Sequence, residues 1–190
     1  TGTDDRELIA LVHDSEALGV NLLDTAEAYG NGHGEAVVGE ALQGRRHKWI
    51  IATKVRPNQG IDANTPDEAA VRKRITEACE QSLQRLRTDY IDLYQLHAIP
   101  HPWAMPIAMA TLAQLRTAGK IRWYGISTNN REAVDQLRAY GPLHVLQIGY
   151  NLLEGVISIA LGLSEDSFAL AGFGVDSLVE VASAILVVWR

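Results

Sequence analysis

From Gly155 to Trp189 the sequence contains no lysine and no arginine. Across all 190 residues there are only one cysteine and two phenylalanines. A single cysteine excludes an intrachain disulfide and fits a reducing compartment. Cys79 sits in the helical-looking stretch ITEACEQSLQRL, where a small packing residue is the simplest reading. Basic excess is also missing. The net charge of −6 gives no electrostatic footprint for nucleic acid, which leaves small molecules or proteins as partners. The opening TGTDDRELIA has neither a basic n-region nor an apolar h-region, so no signal peptide is expected. It begins without Met and inside a helix pattern, so further sequence upstream is expected.

What is present is alternation. NLLDTA (21–26), WIIATKV (49–55), YIDLYQLH (90–97), IRWYGIS (121–127) and HVLQIGYN (144–151) are rich in branched and aromatic residues, as strands are. Helical patterns fall at 4–18, 34–43, 105–118 and 130–140. Another begins at Thr65, where Thr-Pro-Asp-Glu offers a capping hydroxyl, Pro at the first helical position and Glu68 at the capping-box position. It continues with Val71, Ile75, Ala78 and Leu83 on one face. Strand alternating with helix predicts a parallel α/β sheet with right-handed crossovers. The loop RPNQGIDAN (56–64) and the Pro-rich AIPHPWAMP (98–106) are long enough to border a site.

The polar residues then fall into place. Asp24, Lys54, His97 and Ser127 stand at the ends of the first four strands, and Gln147 lies within the fifth. Parallel strands bring all these ends to one side, where barrels and open α/β sheets carry their chemistry. Tyr29 follows Asp24 on the next loop. A free tyrosine, with a pKa near ~10, is a poor proton donor at neutral pH. A nearby lysine ammonium favours the phenolate, and a carboxylate can hold that lysine charged and in place. Asp24, Lys54 and Tyr29 therefore suit proton donation to a carbonyl oxygen, with His97 orienting the same oxygen. Each residue alone has a bland explanation; only the set is specific.

The segments DTAEAYGNGHGEAVVGEAL, IIATKV, YIDLYQLH, GKIRWYGIST and LQIGYN, in this order, resemble the aldo-keto reductase family over about residues 4–154. The resemblance implies a (β/α)8 barrel and an NAD(P)H-dependent oxidoreductase, NADP(H) being the expected cofactor. It also implies reduction of small-molecule aldehydes or ketones to alcohols by hydride transfer. Asp24, Tyr29, Lys54 and His97 match the family's catalytic tetrad, with Tyr29 as proton donor. Ser127 and Gln147 match contacts to the nicotinamide carboxamide. Thr128 takes the usual Asn position, so Asn129 is the substitute expected there. Glu35 and Gly39 match positions read as structural, and no metal ligand is implied. The five strands correspond to the second through sixth of that barrel, so an incomplete barrel is expected over 1–154. A full barrel needs at least ~200 residues. An open sheet would leave unpaired edges, and a non-catalytic fragment acting through them is the alternative.

The remainder, 155–190, reads as a hydrophobic, transmembrane-like helical hairpin. Phe168 to Trp189 is interrupted only by Asp176 and Glu180 and is long enough for a hydrocarbon core of ~30 Å. The GFGVDSLVEV stretch is similar to the second transmembrane helix of cation diffusion facilitator transporters, over about 150–190. That similarity implies a first membrane helix near Val145–Leu163, a turn at SEDS, and Asp176 and Glu180 as cation ligands. The seam is expected within Tyr150–Glu154, as a gene fusion or an assembly artefact. The expected location is cytoplasmic, with membrane attachment through 155–190.

Overall fold

Parallel strands joined by helices are built here from short, branched, apolar runs. The computed structural model describes residues 5–149 and 183–187. Helix α1 (Asp5–Ala17) leads into strand β1 (Leu22–Asp24), then α2 (His33–Ala41), β2 (Ile50–Val55), α3 (Glu68–Leu86) and β3 (Ile91–Leu96). The chain continues through α4 (Met105–Thr117), β4 (Ile121–Ser127), α5 (Arg131–Arg138) and β5 (Val145–Gly149). Strands β1 to β5 lie side by side in chain order, every pair parallel, and a helix follows each of the first four. The result is a parallel α/β half-barrel.

Side-chain alternation gives this wall two faces. Leu42, Ile51, Val55, Tyr94, Leu96 and Ile126 pack with Val71, Ile75, Leu86, Leu112 and Leu137 from the helices. The other face carries Ala52, Leu93 and Val145, with Leu22 and Trp123 against them. Two glycines permit close backbone approach. A Cβ on Gly39 would lie 2.3 Å from the carbonyl oxygen of Arg85, where α2 meets the end of α3. A Cβ on Gly125 would lie 1.7 Å from the Val145 carbonyl oxygen on the neighbouring strand. Glu35, fully buried, accepts from the Thr53 hydroxyl at 2.5 Å and from Arg85 Nε at 2.7 Å, tying α2 to β2 and α3.

Three details depart from the sequence expectations. Helix α3 is capped by Asp67, whose carboxylate accepts from the Ala70 amide at 2.9 Å. The Thr65 hydroxyl instead donates to Asp62 at 3.1 Å, so the cap moves to the aspartate two residues later. Val145–Gly149, expected alternatively to open a membrane helix, is a strand in register with β4. Ser183–Val187, expected to continue a membrane helix, forms a sixth strand, β6, antiparallel to β5. The branched residues Ile185 and Val187 suit an extended chain, and the edge of β5 offers backbone groups for it to pair with. Among the described residues no helix is long and apolar enough to cross a membrane. The seam at Tyr150–Glu154 and the expected ligands Asp176 and Glu180 lie outside the described residues.

Candidate active site

Register assembles the site. Lys54 pairs with Gln95, Gln95 with Gly125, and Ser127 with Gln147, while Asp24 pairs with Ala52. Paired residues share a face, as do residues two apart, so Asp24, Lys54, Gln95, Ser127 and Gln147 all project from the face that carries Ala52, Leu93 and Val145. That face is therefore apolar toward the strand beginnings and polar toward their ends.

Lys54 is the anchor. Its side chain is 1% exposed, and its ammonium donates to both Asp24 carboxylate oxygens at 2.7 Å and to the Thr25 carbonyl at 3.0 Å. These three contacts match its three donors, so a buried charge is fully compensated. The Asp24 side chain keeps 25% of its surface and also accepts from Gln147 Nε2 at 3.0 Å. Gln147 is buried, and its oxygen accepts from Gln95 Nε2 at 3.1 Å. A chain of polar groups thus runs from Gln95 through Gln147 and Asp24 to Lys54.

Tyr29 and His97 stand over this chain. Tyr29 opens a short turn (Tyr29–Gly32) in which Gly30 and Asn31 take left-handed backbone angles, is 46% exposed, and meets the His97 ring edge-on at 5.7 Å between centroids. The Lys54 ammonium is 5.2 Å from the Tyr29 ring centroid. His97 follows β3, held by its amide donating to the Val55 carbonyl at 2.7 Å. Burial lowers its pKa, helped by the positive charges of Lys54 and Arg56 and opposed by Asp24 and Glu27. The ring is therefore neutral at neutral pH. Its Nδ1 is buried with no hydrogen-bond partner among the described residues, as is Gln95 Oε1.

Each site residue expected from the sequence can now be located. Asp24, Lys54 and Gln147 share hydrogen bonds, and Tyr29 and His97 join them by ring contacts. Ser127 is half-buried beside Gln147, at the end of β4. Asn129 is exposed on the following turn, where the Thr128 amide donates to the Gln147 carbonyl at 2.9 Å. The side chain of Asn130, next along, caps α5 through the Ala133 amide at 3.0 Å. Gln95 is not among the residues expected from the sequence. Its signal was available, because it lies two residues before His97 in YQLH and so shares its face. Ser127 and Gln147 place a hydroxyl and a carboxamide on this rim, near two buried polar atoms with no hydrogen-bond partner among the described residues. The long loops flank it, laced by Asn58 Nδ2 donating to the Ile99 carbonyl at 2.8 Å and Trp103 Nε1 to the Ala63 carbonyl at 2.8 Å.

Comparison with known proteins agrees with the fold. The profile described as "Aldo/keto reductase family" matches residues 1–161, and the chain belongs to that family. It is 41% identical over 162 residues to aldo-keto reductase YhdN of Bacillus subtilis, covering 80% of this chain and 46% of that protein. It is 33% identical over 164 residues to the NADH-specific methylglyoxal reductase of Escherichia coli, covering 79% of this chain and 50% of that protein. Among solved structures, the holo form of aldo-keto reductase AKR11C1 from Bacillus halodurans superimposes with a TM-score of 0.69 at 33% identity, over 86% of this chain and 55% of that one. An aldo-keto reductase from Klebsiella pneumoniae in complex with NADPH gives 0.65 at 29% identity, over 86% and 55% respectively. The chain spans about half the length of the curated relatives it matches.

Proposed function

We propose that this chain carries the catalytic group of an NADP(H)-dependent reductase acting on small aldehydes or ketones. The observation that carries the reading is the buried Lys54, matched bond for bond by Asp24 and Thr25 beneath an exposed Tyr29 and a neutral His97. When bound, the nicotinamide supplies the hydride to the carbonyl carbon. Tyr29 supplies the proton to the carbonyl oxygen, and Lys54 stabilises the negative charge that develops beside it. Asp24 keeps Lys54 charged and positioned. His97, uncharged, holds the substrate oxygen by a hydrogen bond. Ser127 and Gln147 would hold the nicotinamide carboxamide, with Asn129 in the third position. Complexes of a relative with NADPH support the cofactor assignment.

The same proposal takes residues 1–154 as the reductase unit, although the family match continues to residue 161. A membrane-attached, cation-binding role for 155–190 rests on sequence alone, and the strand at 183–187 speaks against a continuous helix over 167–190. The test of the reductase reading is isotopic. The chain is incubated with an aromatic aldehyde and NADPH deuterated at the nicotinamide C4. Alcohol carrying one deuterium on its carbinol carbon is the expected product. No alcohol from folded protein, or alcohol without the label, would overturn the reading.

A further inference from the structure

Beside the catalytic group lies a second concavity whose residues the reductase reading does not use. It is a cleft of about 550 Å³ between the loop after β1, the loop after β2 and the flank of α3. That volume is in the range of small-molecule sites rather than of a single ion. Its lining includes Arg56, Arg74 and Arg85, one acid, Glu27, and the amides of Asn31 and Gln59. Arg74 is paired with Glu27 and Arg85 with the buried Glu35, so on a chain whose net charge is −6 the cleft keeps one uncompensated positive charge, that of Arg56.

The guanidinium groups are only partly used by the fold. Arg74 Nη2 donates to Glu27 and, at 2.9 Å, to Gln59 Oε1, but its Nε is buried with no partner among the described residues. Arg85 reaches Glu35 through Nε at 2.7 Å. Arg56 is exposed, and its backbone amide, rather than its guanidinium, contacts Glu27, at 2.7 Å. A buried donor left unpaired is costly unless something accepts from it. Planar guanidinium groups present paired donors that match the oxygens of phosphates and carboxylates.

We propose that this cleft is a binding site for a small molecule bearing a phosphate or carboxylate group, separate from the carbonyl site. The anion lies between Arg56 and Arg74, and the Gln59 and Asn31 amides hold its remaining polar atoms. Glu27 fixes Arg74 and the Arg56 backbone and also limits affinity by its own charge.

The test uses the whole chain and inorganic phosphate, with acetate as a second arm and chloride at matched ionic strength as the control. Binding is followed by NMR of the arginine Nε–Hε groups and of the backbone amides of residues 27–32, 56, 58 and 59. Saturable shifts confined to these groups, with either anion, are expected. Tighter binding of phosphate than of acetate assigns the phosphate class, and the reverse assigns the carboxylate class. Arg56→Gln should weaken binding about tenfold, the loss of one charge-assisted contact. Glu27→Gln keeps the acceptor, removes the charge, and should tighten binding. Shifts that follow ionic strength without saturating, or an affinity unchanged in Arg56→Gln, would overturn the proposal. Arg56 is exposed, so that variant folds as the parent does.

Discussion

The two ends of the sheet each hold a carboxylate tied to cations, and they are finished differently. Near the beginning of β3, the Asp92 side chain is 7% exposed and its oxygens accept from Arg46 Nη2 at 2.6 Å, Arg122 Nη1 at 2.9 Å and the Ile51 amide at 3.0 Å. Arg46 also donates to the Trp49 and Tyr90 carbonyls and to the Thr88 hydroxyl. Both guanidinium groups lie 4.1 Å from the Tyr90 ring centroid. At the other end Asp24 and Lys54 are as well paired, but His97 Nδ1 and Gln95 Oε1 have no hydrogen-bond partner among the described residues, and Tyr29 stands out toward solvent. The Asp92 group is spent on the fold, although His144 Nδ1 at that end also has no hydrogen-bond partner among the described residues. At the other end the open polar groups lie where the strand ends of barrel enzymes carry their chemistry.

Breaking the lower carboxylate should have the largest effect on folding. Asp92→Ala leaves Arg46, mostly buried, without its counter-charge, and is expected to cost about 3 kcal/mol. Urea unfolding measures this directly, and a loss near zero would mean the lower group is decoration. Asp24→Asn is expected to cost less, about 2 kcal/mol, because the amide still accepts from Lys54 and Asp24 is partly open to water. The same substitution should abolish carbonyl reduction, which separates the two ends by function. Gln95→Met should change stability by under about 1 kcal/mol, since one lost hydrogen bond is offset by removal of an unpaired buried oxygen. A cost equal to that of Asp92→Ala would erase the contrast.

The smallest effect concerns pH. Burial holds His97 neutral, so its folded pKa lies below the unfolded value near ~6.5. As pH falls below that value the unfolded chain takes up a proton that the folded chain refuses, and stability declines until the folded pKa is passed. His144, lowered by burial and by Arg116, has the same sign at the other end. His97→Gln should therefore flatten part of the acid decline of the melting temperature, and the His97→Gln, His144→Gln double variant more of it. A steeper decline in either variant would contradict the assignment.

How much of this was readable beforehand varies with the physics involved. Strands and helices were legible because apolar periodicity and branched residues act locally, and β1 to β5 lie inside the five expected runs. The upper rim was legible because parallel strands must present their ends together, which puts Asp24, Lys54 and His97 on one side. Cys79 is as inert as its helical setting suggested, its thiol pushed up to about 12 by burial. Other features depended on contacts far apart in sequence. Gln95 and Gln147 are 52 residues apart, and Arg46 and Asp92 are 46 apart. Asp67 outcompeted Thr65 as a cap through a choice between two local acceptors that spacing alone does not decide. The pairing of β6 with β5 depends on an available edge, which hydropathy does not encode.

If the strand-end rim carries the proposed chemistry, Tyr29 is its proton donor. The measurement is the rate of aldehyde-dependent NADPH oxidation by the parent chain and by Tyr29→Phe, each at its measured folded fraction. Tyr29 is exposed, so the substitution should leave stability within about 0.5 kcal/mol. A fall in rate of about a hundredfold or more is expected, the contribution of a positioned acid. Equal rates in the two proteins, or a folded parent with no rate at all, would contradict it.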